Sequence, residues 1–279
     1  MRGTEGGHGD SGNNGVYALD LHLSTPTWRH DRKPAGSIGN WDGANALGLD
    51  GQDLVSDLYY NGEPRSAHTY NGVVIAEGRM WCSQGYKAGA GGVGGQTLFG
   101  YNLTTRAWDV ASPMIAAGVY TQDMCYIPPR RTLMTVGKGN AVMGVYSIPG
   151  NSWSETAAYT NTSSKTRLVY IPTLDVMVGL NAGVGSGFFV HDFGRTPNGG
   201  NELRPALVGG GNLFDGRVDL CNGVWVGSLG AIVGWSHTAS LWTLAPPASG
   251  VVTDAWTKGV LPPDAGNTVT PIGIPNAQD

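Results

Sequence analysis

Few side chains in this sequence stand near others of the right type to share a reaction. Six His occur, at His8, His22, His30, His68, His191 and His237, and none forms a His-x-His pair or a similar ligand spacing. Two polar clusters single themselves out, His8 with Asp10 and Arg65 with His68. Where loops converge, an imidazole beside a carboxylate or a guanidinium can hold a small ligand or an ion. The same groups can instead satisfy buried backbone donors and acceptors, because buried polar atoms need partners. The second use is the more economical reading, and Asp192 beside His191 is read the same way. Cys82, Cys125 and Cys221 are far apart and odd in number, which is neither a disulfide framework nor a zinc pattern. Each follows an apolar neighbour (Trp81, Met124, Leu220) and reads as a small core hydrophobe. No Gly-x-Ser-x-Gly elbow and no Gly-x-x-x-x-Gly-Lys-Ser/Thr loop is present. The run from Gly89 to Gly95 imitates a phosphate cradle, but no helical pattern follows it, so it reads as an inter-strand loop. Catalytic residues, metal ligands and cofactors are therefore not assigned.

The elements that must position these residues follow from composition. Forty-five of the 279 residues are Gly and nine are Trp, while only 14% are charged. Average proteins carry ~7% Gly and ~25% charged residues. Each Gly inside a helix costs roughly 1 kcal/mol relative to Ala, so a helix bundle is disfavoured. The Gly residues keep no G-X-Y period, which excludes collagen. The content of Trp, Tyr and Leu is too high for a disordered chain. A folded, turn-rich, all-β chain remains, read as a single domain over 1–279. The net charge of −4 gives no basis for nucleic-acid binding, which needs clustered Lys and Arg. The densest basic run, Pro128-Pro129-Arg130-Arg131, is too short for it. No apolar run of about 18 residues exists to span a membrane, and the first seven residues lack the apolar core of a secretion signal. The expected setting is soluble, cytoplasmic or associated with a virion.

An internal period organises the chain. The phrase Tyr101-Asn102-Leu103-Thr104-Thr105-Arg106-Ala107-Trp108 returns as Tyr146-Ser147-Ile148-Pro149-Gly150-Asn151-Ser152-Trp153. It returns more loosely from Trp235 to Trp242, in degenerate form from His191 to Asn198, and earlier from Leu21 to Trp28. The landmarks Trp108, Trp153, Asn198 and Trp242 are separated by steps of 45, 45 and 44, within the ~40–50-residue range of propeller blades. The longer step from Trp28 contains an insertion over about residues 31–57. About 20 residues before each phrase stands a pair of short apolar strands whose second member closes on Gly. These are Cys125–Pro128 with Leu133–Gly137, Val169–Pro172 with Val176–Gly179, and Asp219–Gly223 with Val224–Gly227. One unit thus predicts a four-stranded antiparallel meander. Its anchors are Trp28, Trp108, Trp153 and Trp242 between sheets, and Gly137, Gly179 and Gly227 where backbones crowd. Trp41 and Trp256, outside the phrase, are candidates for stacking on sugar faces.

The unit resembles the kelch repeat of the galactose-oxidase-like central-domain β-propellers. The resemblance rests on the di-glycine Gly6-Gly7, the strand Val16–Leu21, Trp28, and the stretch Pro64-Arg65-Ser66-Ala67-His68, and it covers roughly residues 5–245. It implies a kelch-like β-propeller of about five recognisable blades, four full and one partial, set in an incomplete ring. Kelch-type propellers usually close with six or seven. The expected function is a non-catalytic binding or scaffold module, a subunit of a larger assembly such as a bacteriophage virion or tail. A protein partner or a further copy would then cover the terminal blade edges. Two alternatives stand beside it, a galactose-oxidase-like oxidoreductase and a carbohydrate-binding propeller with a glycan partner. The first needs a Tyr–Cys pair in a copper motif, and neither Cys82 with Tyr86 nor Cys125 with Tyr126 supplies one.

Overall fold

The computed structural model describes residues 2–4, 16–19, 25, 27–32, 64, 67–68, 72–83, 86–87, 97–113, 120–138, 143–155, 166–181, 185–194, 202–214, 223–235 and 241–261. These residues are all-β; the sole helical element among them is one 3-10 turn, Pro128–Arg130. An N-terminal antiparallel sheet comprises β1 (Arg2–Thr4), β2 (Val16–Leu19) and β3 (Trp28–Arg32). A two-residue ladder joins β4 (Ala67–His68) to β7 (Tyr86–Lys87). Sixteen strands form the four main sheets. Sheet I is the meander β5 (Val73–Ala76), β6 (Arg79–Ser83), β8 (Thr97–Asn102) and β9 (Ala107–Pro113). Sheet II is β10 (Tyr120–Ile127), β11 (Thr132–Lys138), β12 (Met143–Ser147) and β13 (Ser152–Glu155). Sheet III is β14 (Arg167–Ile171), β15 (Val176–Leu180) and β16 (Phe188–Asp192). Sheet IV runs β18 (Val224–Val226), β19 (Ala231–Trp235), β20 (Leu241–Ala245) and β21 (Trp256–Leu261), with β17 (Leu207–Val208) added in parallel on the edge of β21.

The repeat is visible in the turns. The first two strands of each sheet meet through the ladder pairs Ala76↔Arg79, Ile127↔Thr132, Ile171↔Val176 and Val226↔Ala231. The residue before each second strand has positive φ, at Gly78, Arg131, Asp175 and Gly230. A second turn repeats beside it. Asn102 Oδ1 accepts from the Thr104 and Thr105 amides, Ser147 Oγ from the Gly150 amide, and Asp192 Oδ1 from the Gly194 amide. These three short polar side chains occupy one position of the phrase and offer the backbone a local partner that a longer strand would not. Asp192 is thus a turn-capping residue.

The sheets stack face to face, with β10 against β5 and β14, and β14 against β18. A hydrophobic cluster fills each gap. Ala76, Trp81 and Leu98 meet Met124, Leu133 and Tyr146 between sheets I and II. Cys125, Ile127, Met134 and Met143 meet Leu168, Met177 and Phe189 between II and III. Val169, Val178, Leu180 and Phe188 meet Ile232, Trp242, Leu244 and Trp256 between III and IV. The inner strands of sheets II and III contribute alternate residues to the gaps on either side, so they are apolar on both faces.

Several anchors stand elsewhere than the spacing predicts. Trp108 and Trp153 lie on the fourth strands of sheets I and II, opposite Tyr101 and Tyr146, with ring centroids 5.2 and 5.1 Å away. Trp242 is not their counterpart. It sits on the third strand of sheet IV, opposite Gly234, and the Trp on the fourth strand is Trp256. The ten-residue connection 246–255 moves the landmark, and the step of 44 marks a different position. Gly179 lies next to last on β15 opposite Leu168, and Gly137 next to last on β11 opposite Thr121. Gly227, by contrast, lies in the turn after β18, because Val224–Val226 is a first strand rather than a second. Trp28 opens β3 opposite Leu19. Asn198 and the stretch 89–95 fall outside the described residues, as does the 31–57 insertion after its first two residues, which belong to β3.

Candidate functional site

Of the residues singled out in the sequence, His8, Asp10 and Arg65 lie outside the described residues, and His68 is on β4 opposite Tyr86. Trp41 also lies outside them. Trp256 is fully buried; its indole N–H donates to the Val252 carbonyl at 3.1 Å and its ring packs on Phe188. It offers no face to a sugar. Cys82 and Cys125 are buried free thiols, and burial pushes both pKa values up to about 12, so neither is a nucleophile at neutral pH. Cys221 is outside the described residues. Among the described residues, no group of three or more His, Cys, Asp or Glu gathers to hold a metal.

The polar chemistry is instead concentrated where the sheets meet. At the first-turn end, Glu77 of sheet I accepts from Arg131 Nε and Nη2 at 2.7 and 2.6 Å and from Tyr126 Oη at 2.9 Å. Asp175 of sheet III accepts from Arg130 Nη1 and Nη2 at 2.7 and 2.8 Å and from Tyr170 Oη at 2.8 Å. The Arg130 guanidinium also lies 4.2 Å from the centre of the Phe193 ring. Adjacent arginines in one tight turn of sheet II thus tie the turns of both neighbouring sheets. The Arg131 hydrogen bonds hold the Glu77 carboxyl below its ordinary pKa, and those from Arg130 do the same for Asp175. Burial, then the bond to Asp175, raises the Tyr170 phenol to about 12. These are bidentate, charge-assisted bonds, the stronger kind of surface ion pair. Arg130→Ala is expected to lower stability by about 1 kcal/mol at low salt. Urea unfolding at low and high ionic strength checks this, because screening should shrink the part owed to the ion pair.

Away from that end, the gap between sheets II and III holds buried polar groups. Asp123 sits on β10 just after a bulge, fully buried, with the Met124 and Leu168 amides near its carboxylate but no hydrogen bond of good geometry to either oxygen. Burial raises its pKa well above the ordinary value, against the opposing pull of Arg167 and the Met124 and Leu168 amides. On the facing sheet, Asn181 Nδ2 donates to Thr166 Oγ1 at 2.9 Å, and both residues are buried.

His191 takes the position that Tyr146 holds in sheet II and packs edge-on to Phe193, with ring centroids 4.7 Å apart. Burial lowers its pKa from 6.5 to about 4. The unfolded chain therefore takes up a proton near pH 6.5 that the folded chain accepts only near pH 4. Stability contributed by the neutral ring is full above the first value and falls as the pH drops through that window, by roughly 3 kcal/mol. Unfolding measured from pH 7 to pH 4 should show this slope as the difference between wild type and His191→Phe.

A third feature is apolar. Of the seven exposed large hydrophobic side chains among the described residues, six (Val208, Val224, Leu229, Leu241, Val251 and Val260) belong to sheet IV and its turns. Ladder register places Val224, Leu241 and Val208 on its outward face and Ile232, Trp242, Leu244 and the exposed Val260 on the inward one. Sequence reasoning missed all three features. Arg130 and Arg131 were legible as a basic run, but not that the turns on either side bring carboxylates to them. No helix among the described residues is long and apolar enough to cross a membrane. Compared with known proteins, the chain matches no family model and no curated protein.

Proposed function

We propose that this chain is a non-catalytic binding or scaffold module, a kelch-type propeller stack acting as a subunit of a larger assembly such as a bacteriophage virion or tail. The observation that supports it is the outward face of sheet IV. Val224 is 56% exposed, whereas the residues at the same ladder position in sheets II and III, Cys125 and Val169, are 7% and 6% exposed. A position that carries inter-sheet packing elsewhere in the stack is here turned to solvent, and exposed apolar patches of this kind mark interaction surfaces. The titratable groups with shifted pKa values fit a scaffold as well. Glu77 and Asp175 are engaged in tying sheets together, and Cys82 and Cys125 are buried thiols. The test is the native size of the chain in extracts of its source, followed by immunodetection across a sizing column. A scaffold subunit elutes in a particle many times its own mass, and Leu241→Lys shifts it out of that particle. Elution as a lone chain from the source overturns the reading.

A further inference from the structure

We infer that the segment 202–214 is a strap shared by sheets III and IV, which opens as one unit and guards the outer strand edges of both sheets.

By chain order this segment takes the place in sheet III that β9 holds in sheet I and β13 in sheet II, the fourth strand. It begins as one. Val190 of β16 and Leu203 exchange both main-chain hydrogen bonds, each at 2.9 Å. In an antiparallel ladder the next pair of that kind lies two residues on, here Phe188 with Pro205. Proline has no N–H to donate, so the ladder loses that bond. The Phe188 carbonyl accepts instead from Ser186 Oγ at 3.2 Å. Past Pro205 the chain crosses to sheet IV. The Trp256 amide donates to the Ala206 carbonyl at 2.9 Å, and Leu207 and Val208 pair with Trp256 and Thr257 as β17.

Burial alternates along the crossing. Leu203, Pro205 and Leu207 are partly or fully buried, and Arg204, Ala206 and Val208 are exposed. That alternation belongs to a single extended strand. The pairings with β16 and β21 are therefore the two ends of one element, whose Leu203 and Leu207 both pack on the core between sheets III and IV. Gly209 then turns the chain at a φ of +94°, where a Cβ would stand 2.5 Å from the Lys258 carbonyl oxygen. Only glycine allows so close a turn against β21. Further on the strap returns to sheet III. Asn212 Nδ2 donates to the Gly185 carbonyl at 3.1 Å, and the Leu213 amide donates to the Ser186 carbonyl at 3.0 Å.

The pairing at each end is short, a one-residue bridge on β16 and a two-residue ladder on β21. Segments paired so lightly open at a lower free energy than the ladders beneath them. Opening this one uncovers main-chain groups of Val190 on β16 and of Trp256 on β21 together. Unpaired strand edges accept a strand from another chain, and covering them with a loop is one way a fold prevents it. The strap covers two such edges at once, and Pro205 is the residue that hands it from one sheet to the other.

Amide hydrogen exchange of the full chain, read residue by residue, tests this. The Val190, Leu203 and Trp256 amides are expected to share one opening, with equal protection that is lower than in the β10–β11 ladder of sheet II. In Gly209→Ala the new methyl meets Lys258 of sheet IV. It should nevertheless speed exchange at all three amides roughly tenfold, Val190 of sheet III included, and leave the β10–β11 amides as they are. Pro205→Val supplies the missing N–H and should split the three. Val190 and Leu203 slow, because the ladder runs on to Phe188, while Trp256 quickens. Faster exchange of Trp256 alone in Gly209→Ala would show two independent contacts and overturn the strap. Exchange of all three wild-type amides at the rate of the β10–β11 ladder overturns it as well, since no separate unit then opens. A shift of all three in one direction in Pro205→Val shows that the sheets do not compete for the segment, and the sharing falls.

Discussion

Gly179→Ala is expected to destabilise the protein by about 3 kcal/mol, at the upper end for overpacking a core. Gly179 and Phe189 are directly opposed on β15 and β16, and the Phe189 ring lies flat over the glycine. A Cβ at 179 would stand 1.7 Å from Phe189 Cζ and 2.3 Å from both Cε atoms. The ring has little room to yield. Phe189 is 1% exposed and is held between sheets II and III by Met134, Met143 and Met177. Relief requires either an off-rotamer Phe189 or a wider gap, and a wider gap forfeits contacts on both sheets. A second substitution makes the explanation testable. Phe189→Leu alone removes ring volume and costs about 1 kcal/mol or more. In the double variant the added methyl occupies space that the ring has vacated, so the two losses should not sum. Urea unfolding of the four species gives the coupling directly. Strict additivity would show that Gly179 matters for backbone freedom and not for the aromatic above it.

Asp123→Asn is expected to stabilise the protein at pH 7, because the folded wild type must carry there a proton that Asn does not need, worth about 1.4 kcal/mol per tenfold rise in proton affinity on folding. The folded chain keeps the Asp123 proton to a higher pH than the unfolded chain, because burial disfavours the carboxylate. The folded state therefore binds more protons between the two pKa values, and wild-type stability falls as pH rises through that window and is level above it. Asn keeps the shape and removes the titration. Its advantage should be larger at pH 7 than at lower pH and vanish below about pH 3, where Asp123 is neutral in both states. The groups facing Asp123 oppose the shift without reversing it. Arg167 pulls toward the carboxylate without hydrogen bonding it, and the Cys125 thiol nearby is itself held neutral, with a pKa of about 12. His191 imposes the opposite slope between about 4 and 6.5, so the two partly cancel in the wild type. The Asn variant should reveal the His191 slope alone. A loss of stability at pH 7 in Asp123→Asn would instead show an ionised Asp123 paired with Arg167.

The phrase around Tyr101 and Tyr146 was legible because turn chemistry is local. Asn102, Ser147 and Asp192 cap their turns whatever packs against the sheet, so spacing alone identifies them. The same logic misplaces Trp242. A Trp at roughly the right interval is found in either of two neighbouring strands, and only ladder register distinguishes the third strand of sheet IV from the fourth. Trp256 illustrates the converse. Lying outside the repeat phrase, it reads as a surface ring, yet it is the aromatic that closes the gap between sheets III and IV. Glu77, Arg130, Arg131 and Asp175 are separated by up to 98 residues and carry no motif. Their pairing exists because three turns arrive side by side.

The sequence by itself determined the all-β class, the hairpins Cys125–Gly137 and Val169–Gly179 and the burial of Cys82 and Cys125. Those properties depend on glycine content, alternation and turn residues, which act over a few positions along the chain. Only the tertiary structure decided which polar groups are tied, which are buried without partners, and which apolar face is left open. These depend on contacts between sheets, where side chains far apart in sequence meet, and local pattern carries no record of which sheet lies opposite. The abundance of Gly joins the two levels. Composition shows that the chain is rich in it, and the stack shows one reason, since at Gly179 an aromatic ring from the next strand occupies the volume that any side chain would need.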